Sequence, residues 1–363
     1  MKVIMAAGGT GGHIYPAIAI ANELKSRYNA EIIFIGQKNR LEATLVPKAG
    51  YKIEFIRSGV FYRNNPIKNI RSVFRLTKAI LKSKKIIRDF KPDIVIGTGG
   101  YISAPTVMAA QQLGIKTAIH EQNAFLGVAT RLVAKKADIL FLSFDKNANS
   151  ANAKKIIVSG NPVRSEFLKG DKEEARKSLK IDARPLLYIS GGSQGAGKIN
   201  YSVIDFLEKE ENRSLYNVIM STGNQYYDEI IAEIKKRGID LPENIKIIPY
   251  ADNVPEIMTA ADVAITRSGA ITLAEIAVKG LPSILVPSPN VTDDHQYFNA
   301  KAYEDAGAAV LIREESFSAA KLEEILLYVF GKQNTLSAMS RAAQSVAKPE
   351  ALDTIINEIS SIL

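Results

Sequence analysis

Short apolar runs alternate with longer amphipathic stretches along the whole chain. In the first half, runs at 2–7, 31–35, 52–56, 93–96, 116–120, 138–141 and 155–158 predict strands. In the second half, runs at 185–189, 216–220, 245–248, 262–265, 283–286 and 308–311 do the same. Periodicity predicts a first helix from about His13 or Ile14 to about Tyr28, with Pro16 in its first turn, where proline is tolerated. Further helices are predicted over 198–209, 224–236, 270–278 and 295–306, and a last one over 350–362. Strand–helix alternation of this kind reads as parallel α/β architecture. The turn Ser159-Gly160-Asn161-Pro162-Val163-Arg164 carries no periodic signal and marks a boundary. The expected domains are 1–163 and 164–348, with the terminal segment 349–363 crossing back to pack on the first.

Composition bounds the class. A chain of 363 residues is long for one core and natural for two domains. No apolar run reaches about 18 residues, so no membrane-spanning helix is expected. The residues before the first glycines are too few for a secretory signal and read as a strand, which places the protein in the cytoplasm. The absence of cysteine excludes disulfides, thiolate metal sites and cysteine nucleophiles.

The net charge of +9 is concentrated in one place. Between Arg57 and Lys91, eleven Lys and Arg stand against a single acid, Asp89. The same stretch carries an apolar stripe of Ile70, Val73, Phe74, Thr77, Ile80 and Leu81 at helical spacing, part of which is expected in the core. Phe61, Tyr62 and Ile67 lie just before it. Basic and apolar residues together favour an anionic membrane surface over a merely solvated helix face. Nucleic acid is disfavoured, since no recognition module is present.

Chemistry enters at the glycine-rich turns. Gly8-Gly9-Thr10-Gly11-Gly12-His13 follows the first strand, and Ser190-Gly191-Gly192-Ser193-Gln194-Gly195 follows the strand at 185–189. A strand that stops on glycines and enters a helix presents bare N–H groups to an anion. The first turn is not a dinucleotide fingerprint, because Ile14 stands where the third glycine belongs, and Gly36-Gln37 stands where that motif has an acid. The second is a near miss to a P-loop, with Ile199 in place of the magnesium-binding hydroxyl after Gly197-Lys198. A third turn, Thr98-Gly99-Gly100-Tyr101, reads either as tight packing or as a second anion cradle in the first domain. Arg267-Ser268-Gly269-Ala270 opens a helix bearing Glu275, placed to accept ribose hydroxyls or simply exposed to solvent.

The three histidines, His13, His120 and His295, lack metal-ligand spacing. His13 at the glycine turn is a candidate general base or a hydrogen-bonded core histidine. His120-Glu121-Gln122-Asn123 is a polar cluster at the end of an apolar strand, where α/β sheets place their sites.

These segments, with Gly160-Asn161-Pro162-Val163-Arg164 and Gln296-Tyr297-Phe298-Asn299-Ala300, resemble in residues and order the MurG family of bacterial glycosyltransferases, over the whole chain. The resemblance implies a GT-B fold of two Rossmann-like, doubly wound domains facing a cleft. It implies UDP-N-acetylglucosamine as donor, bound mainly by the C-terminal domain, and undecaprenyl-diphosphate-muramoyl-pentapeptide, lipid I, as acceptor. Carried over by position, Arg164 and Ser193 are diphosphate ligands. Ala270, Ile271, Thr272 and Leu273 form the diphosphate-to-ribose turn with Glu275 on the ribose, and Gln296 and Asn123 contact the sugar. Ala251 holds the uracil through its backbone, and Thr10, Gly11 and Gly12 face sugar and acceptor. His13 is the expected base. His295 departs from members that have Gln there. No D-x-D motif is present and Asp293-Asp294 reads as a solvated turn, so no metal or cofactor is expected. The expected location is peripheral, on the cytoplasmic face of the bacterial membrane, with other cell-wall synthesis proteins as conceivable partners. The rival readings are another UDP-sugar transferase, a UDP-sugar epimerase, and a nucleotide-sensing or membrane-binding protein without turnover.

Overall fold

The computed structural model describes residues 1–59, 66–145, 148, 151–192, 194–332 and 334–363, and for 66–73 the helical backbone alone. The chain divides into two compact units, Met1–Val163 with Pro349–Leu363, and Arg164–Lys348.

The first unit runs β1 (Lys2–Ala6), α1 (Gly11–Tyr28), β2 (Glu31–Gly36), α2 (Glu42–Lys48), β3 (Lys52–Phe55), α3 (Pro66–Phe90) and β4 (Ile94–Gly97). It continues through α4 (Ser103–Gln112), β5 (Lys116–Glu121), α5 (Val128–Val133), β6 (Ile139–Leu142) and β7 (Ile156–Val158). The strands form one parallel sheet in the order β3-β2-β1-β4-β5-β6-β7, with Val3 opposite both Ile32 and Ile94. Helices cover both faces, so the central strands are apolar on both sides. Val3 and Met5 face a cluster with Ile14, Ile20 and Leu24, while Ile4 faces Val95, Val107 and Ile119.

The second unit runs α6 (Lys172–Ser178), β8 (Leu186–Ser190), α7 (Gly197–Leu207), α8 (Glu210–Leu215), β9 (Asn217–Ser221), α9 (Tyr227–Lys236) and β10 (Ile245–Ile248). Then come α10 (Val254–Ala260), β11 (Val263–Thr266), α11 (Ala270–Val278), β12 (Ser283–Leu285), α12 (His295–Asp305), β13 (Ala309–Leu311), α13 (Ala319–Gly331) and α14 (Thr335–Val346). Its parallel sheet has the order β10-β9-β8-β11-β12-β13, the doubly wound order of the first unit without the seventh strand. The last helix, α15 (Ala351–Ser361), returns to the first unit, where Ile355, Ile356 and Ile359 join Ile14, Ala17 and Ile20. Arg27 pairs with Asp353, and Lys155 with Glu358.

One expectation needs correction and another is sharpened. The first helix begins at Gly11, before His13, so Pro16 stands in its second turn rather than its first. There the missing N–H leaves the carbonyl of Gly12 without its helical donor. On α3, the face that packs inward is Ala79, Ser83 and Ile87, whereas Phe74 and Leu81 of the predicted stripe are 62% and 60% exposed. Ile80, Ile86 and Phe90 pack on the same cluster from the margins of this i, i+4, i+8 strip, half-buried.

Candidate functional site

In the first unit, polar groups converge where β1 and β4 lie adjacent, at the switch point of the sheet. The chain leaves β1 through Gly8 and Gly9, Thr10 is extended (φ −126°, ψ 159°), and α1 begins. The carboxylate of buried Glu42 accepts hydrogen bonds from the Gly9 and Gln37 N–H groups, both at 3.1 Å. A Cβ on Gly8 would lie 2.7 Å from Glu42 Oε1, so glycine makes room for the carboxylate. The Gly9 N–H is thereby committed within the protein. The anion-binding capacity of this turn lies with Gly11 and Gly12, whose N–H groups have no intrahelical acceptor.

The turn after β4 packs directly on this one. Gly99 (φ +105°) passes so close to His13 that a Cβ would lie 2.5 Å from Nδ1, and a Cβ on Gly100 would lie 2.1 Å from the Gly8 carbonyl oxygen. The close-packing reading of Gly99-Gly100 is therefore the one the geometry supports, and what is packed is His13. Thr98 Oγ1 donates to the His13 carbonyl at 2.8 Å. His13 Nδ1 is 3.0 Å from Gln122 Oε1. Gln122 Nε2 is 2.9 Å from His120 Nδ1 and 3.0 Å from the His120 carbonyl. His120 Nε2 is 3.0 Å from the Gly160 carbonyl. His120 is fully buried, and burial pushes its pKa below the ordinary value, which favours the neutral ring. Glu121 organises the loop beyond β5, accepting from the Asn123 and Gly127 N–H groups and from Thr130 Oγ1. This loop presents Asn123, half-buried, next to the histidine cluster.

In the second unit the corresponding place is the C-terminal end of β8 and β11. Gly195 (φ +73°) sits against the turn after β9, where a Cβ would meet the Thr222 carbonyl oxygen at 2.1 Å. Ser193 lies outside the described residues. Gly269 is extended, and the first turn of α11, Ala270-Ile271-Thr272, presents N–H groups without intrahelical acceptors. Glu275 follows on the same helix, its side chain only 11% exposed. Burial raises its pKa to about 7, and the Arg164 guanidinium, 3.5 Å away, opposes that rise. Arg164 also lies over the Phe167 ring, 4.8 Å from its centroid.

Arg267, grouped with this turn in the sequence, is spent elsewhere. It donates to the Val286 and Pro287 carbonyls and pairs with Glu314. It thus fixes the loop that leads to Gln296. Gln296 Oε1 accepts from the Ser288 N–H at 2.9 Å, and its carbonyl accepts from Ser268 Oγ at 2.8 Å. Leu273 is buried, and its carbonyl accepts from Tyr303. Ala251 is buried just beyond the edge strand β10. His295 donates from Nδ1 to the Thr292 carbonyl, and Asp293 and Asp294 take the left-handed φ values 57° and 49° of a turn.

The predicted residues therefore fall into two groups. Thr10, Gly11, Gly12, His13 and Asn123 gather in the first unit. Arg164, Ala270 to Leu273, Glu275 and Gln296 surround the start of α11 in the second. Glu42 gives no spacing signal, because its partners are backbone groups 33 and 5 residues away. Among the described residues, no three His, Cys, Asp or Glu side chains cluster as a metal site. A cavity of about 560 Å³ bordered by Lys169, Asp262, Lys279 and Arg341 opens at the opposite strand ends and holds none of these residues.

The first unit also carries an exposed face of α3. Phe74, Lys78, Leu81, Lys82 and Lys85 are outward, with Lys78 Nζ 4.5 Å from the Phe74 ring centroid. Phe61, Tyr62 and Arg63 and the side chains of Ile67, Lys68 and Arg71, also in the predicted basic region, lie outside the described residues. Among the described residues, no helix is long and apolar enough to cross a membrane.

Residues 3–141 match the glycosyltransferase family 28 N-terminal domain, and 186–355 match the glycosyltransferase family 28 C-terminal domain. The chain is 42% identical, over 100% of both proteins, to a UDP-N-acetylglucosamine--N-acetylmuramyl-(pentapeptide) pyrophosphoryl-undecaprenol N-acetylglucosamine transferase of Thermoanaerobacter sp. (strain X514). It is similar to the crystal structure of Acinetobacter baumannii MurG, with a TM-score of 0.81, 26% identity and 99% of each chain covered. A putative UDP-N-acetylglucosamine 2-epimerase from Listeria monocytogenes shares the fold, with a TM-score of 0.67, 15% identity and 99% and 96% of the two chains covered.

Proposed function

The chain belongs to glycosyltransferase family 28, and on that premise we propose how it works. It moves N-acetylglucosamine from UDP-N-acetylglucosamine to the 4-hydroxyl of the muramoyl sugar of undecaprenyl-diphosphate-MurNAc-pentapeptide. The full-length relationship to curated transferases of that activity supports the substrates. Glu275 is the observation that carries the donor site: a buried carboxylate a turn and a half into α11, opposed by Arg164, at a doubly wound switch point.

In this reading the diphosphate of the donor lies at the N-terminus of α11, near Arg164 and Ser193. Glu275 accepts the ribose hydroxyls, Ala251 meets the uracil through its backbone, and Gln296 and Asn123 hold the sugar. Thr10, Gly11 and Gly12 face the acceptor. Transfer is a single inverting displacement. The acceptor oxygen bonds to the anomeric carbon, the bond to the β-phosphate oxygen breaks, and UDP departs with the electron pair. The hydroxyl proton goes to His13, a contribution of about 10²–10⁴ in rate. Arg164 and the α11 turn stabilise the charge on departing UDP. The acceptor's lipid stays in the bilayer, so the exposed basic and apolar face of α3 is assigned to an anionic membrane surface, on the cytoplasmic side.

The test is radiolabel transfer from UDP-N-acetylglucosamine to a short-chain lipid I analogue. Robust transfer is expected, with little from UDP-glucose or UDP-N-acetylgalactosamine. Hydrolysis to free sugar, or epimerisation without use of the analogue, would refute the reading.

A further inference from the structure

We infer that Gln122 and His120 are positioning residues that hold His13 as its Nδ1–H tautomer, leaving Nε2 as the basic atom toward the acceptor hydroxyl. The inference rests on the proposal that His13 is the base. It follows from the polarity of four hydrogen bonds.

A carbonyl oxygen only accepts. Because His120 Nε2 lies 3.0 Å from the Gly160 carbonyl, His120 must carry its proton on Nε2. Its Nδ1 then has a lone pair, and the neighbouring Gln122 atom must donate. The same Gln122 atom lies 3.0 Å from the His120 carbonyl, a second acceptor. Two acceptors at one end of the amide fix which end is NH₂, independently of how O and N are assigned. Gln122 Oε1 is thereby turned to His13 Nδ1, at 3.0 Å, and that nitrogen must donate. The neutral ring then keeps its lone pair on Nε2, which has no protein partner among the described residues. Taking a proton at Nε2 disturbs no bond in the chain, since Nδ1 goes on donating to Gln122.

The anchors are rigid. Gly160 has φ +84°, and its carbonyl also accepts from Ser159 Oγ. Asn161 Nδ2 donates to the Gln122 carbonyl at 3.1 Å, and Asn161 Oδ1 accepts from Ser143 Oγ. His120 and Gln122 are 0% and 2% exposed, so water does not compete for these bonds. Gly99 closes the other side of the His13 ring, where any Cβ would strike Nδ1. Burial favours the neutral form of His120, which is the form the chain requires.

The chain has only three histidines, so long-range ¹H–¹⁵N NMR of the intact, histidine-labelled protein reads each tautomer directly. His13→Ala and His295→Ala assign the signals. The expected pattern at pH 8.5 is Nε2–H for His120 and Nδ1–H for His13. Gln122→Met should release His13 to the Nε2–H form and lower kcat by ~10²-fold, with KM for UDP-N-acetylglucosamine unchanged. Gln122→Glu keeps the acceptor for Nδ1–H and should recover part of that loss. His13 found as Nε2–H in the wild type overturns the inference, and so does an unchanged kcat in Gln122→Met. If the Met variant fails to fold, the wild-type pattern and the Glu variant decide. An unchanged kcat in His13→Ala overturns the assignment of the base itself, and the tautomer pattern still judges the hydrogen-bond chain separately.

Discussion

Replacing Glu275 by Gln should change how stability depends on pH, by an amount the structure sets. The carboxyl is buried, and its pKa stands at about 7 against an ordinary 4.5, with burial the larger influence and Arg164 the smaller, opposing one. Between those two values the unfolded chain has released the proton while the folded protein keeps it. The folded state then binds more protons, so stability falls as pH rises through that window. At 1.36 kcal/mol per pH unit the full effect is about 3 kcal/mol, most of it lost between pH 5 and 8. Glu275→Gln is neutral throughout and lacks this component. Urea denaturation of both proteins at pH 5, 6, 7 and 8 should show the wild type losing about 2–3 kcal/mol relative to the variant, in the transition of the second unit. Parallel pH profiles, or a wild type that gains stability with pH relative to the variant, would refute the reasoning. The donor supplies a cross-check. UDP-N-acetylglucosamine is a diphosphate diester and does not titrate in this range. If ribose hydroxyls donate to Glu275, its affinity for the wild type should tighten from pH 6 to pH 8, and the Gln variant should bind weakly at both.

Two further outcomes follow from the first unit. In Gly99→Ala the new Cβ would lie 2.5 Å from His13 Nδ1 and the residue would keep φ +105°. The strain should cost about 1–2 kcal/mol in denaturation, and displacement of the ring by roughly 1 Å should lower kcat by ~10²-fold with KM for donor unchanged; full activity would contradict the placement of the ring. Combined Lys78→Gln and Lys82→Gln should weaken sedimentation with phosphatidylglycerol vesicles by about 30-fold, at ~1 kcal/mol per lysine. Phe74→Ser with Leu81→Ser should weaken it further and independently of salt, and binding that ignores all four changes would remove the membrane role of α3.

The strands were legible because a parallel sheet covered on both faces needs continuous apolar runs, and such runs cannot be mistaken for amphipathic surface. The start of α1 was not, for a local reason. Gly11, Gly12 and His13 are poor helix formers, and the helix exists there because Ile14, Ala17 and Ile20 bury against β1 and α15. On α3 an exposed basic and apolar face was legible, but not which positions it holds, because periodicity identifies a helix and not how wide a strip of it a neighbour covers. The structural task of Arg267 was not legible. Its actual partners, two carbonyls and Glu314, lie 19 to 47 residues away and leave no trace in local spacing. The polar cluster at His120 was visible, whereas the direction of its hydrogen bonds depends on the Gly160 carbonyl, 40 residues on.

The two glycine turns look alike in sequence because both leave a strand at a switch point, yet glycine is required in each for a different neighbour. Around Gly8, Gly99 and Gly100, a Cβ would strike Glu42, His13 and the facing backbone. Gly8 and Gly99 make room for side chains and Gly100 for backbone, and Glu42 takes up a backbone N–H that a phosphate would otherwise use. Around Gly191, Gly195 and Gly223, a Cβ would strike backbone and Ala196, Thr222 or Tyr226. There the turns close on each other without enlisting an acid. On the function proposed above, one turn holds the base and the other lies beside the donor's diphosphate. That asymmetry is what a transferase needs from two copies of one architecture, since the proton leaves the acceptor while the negative charge develops on the donor.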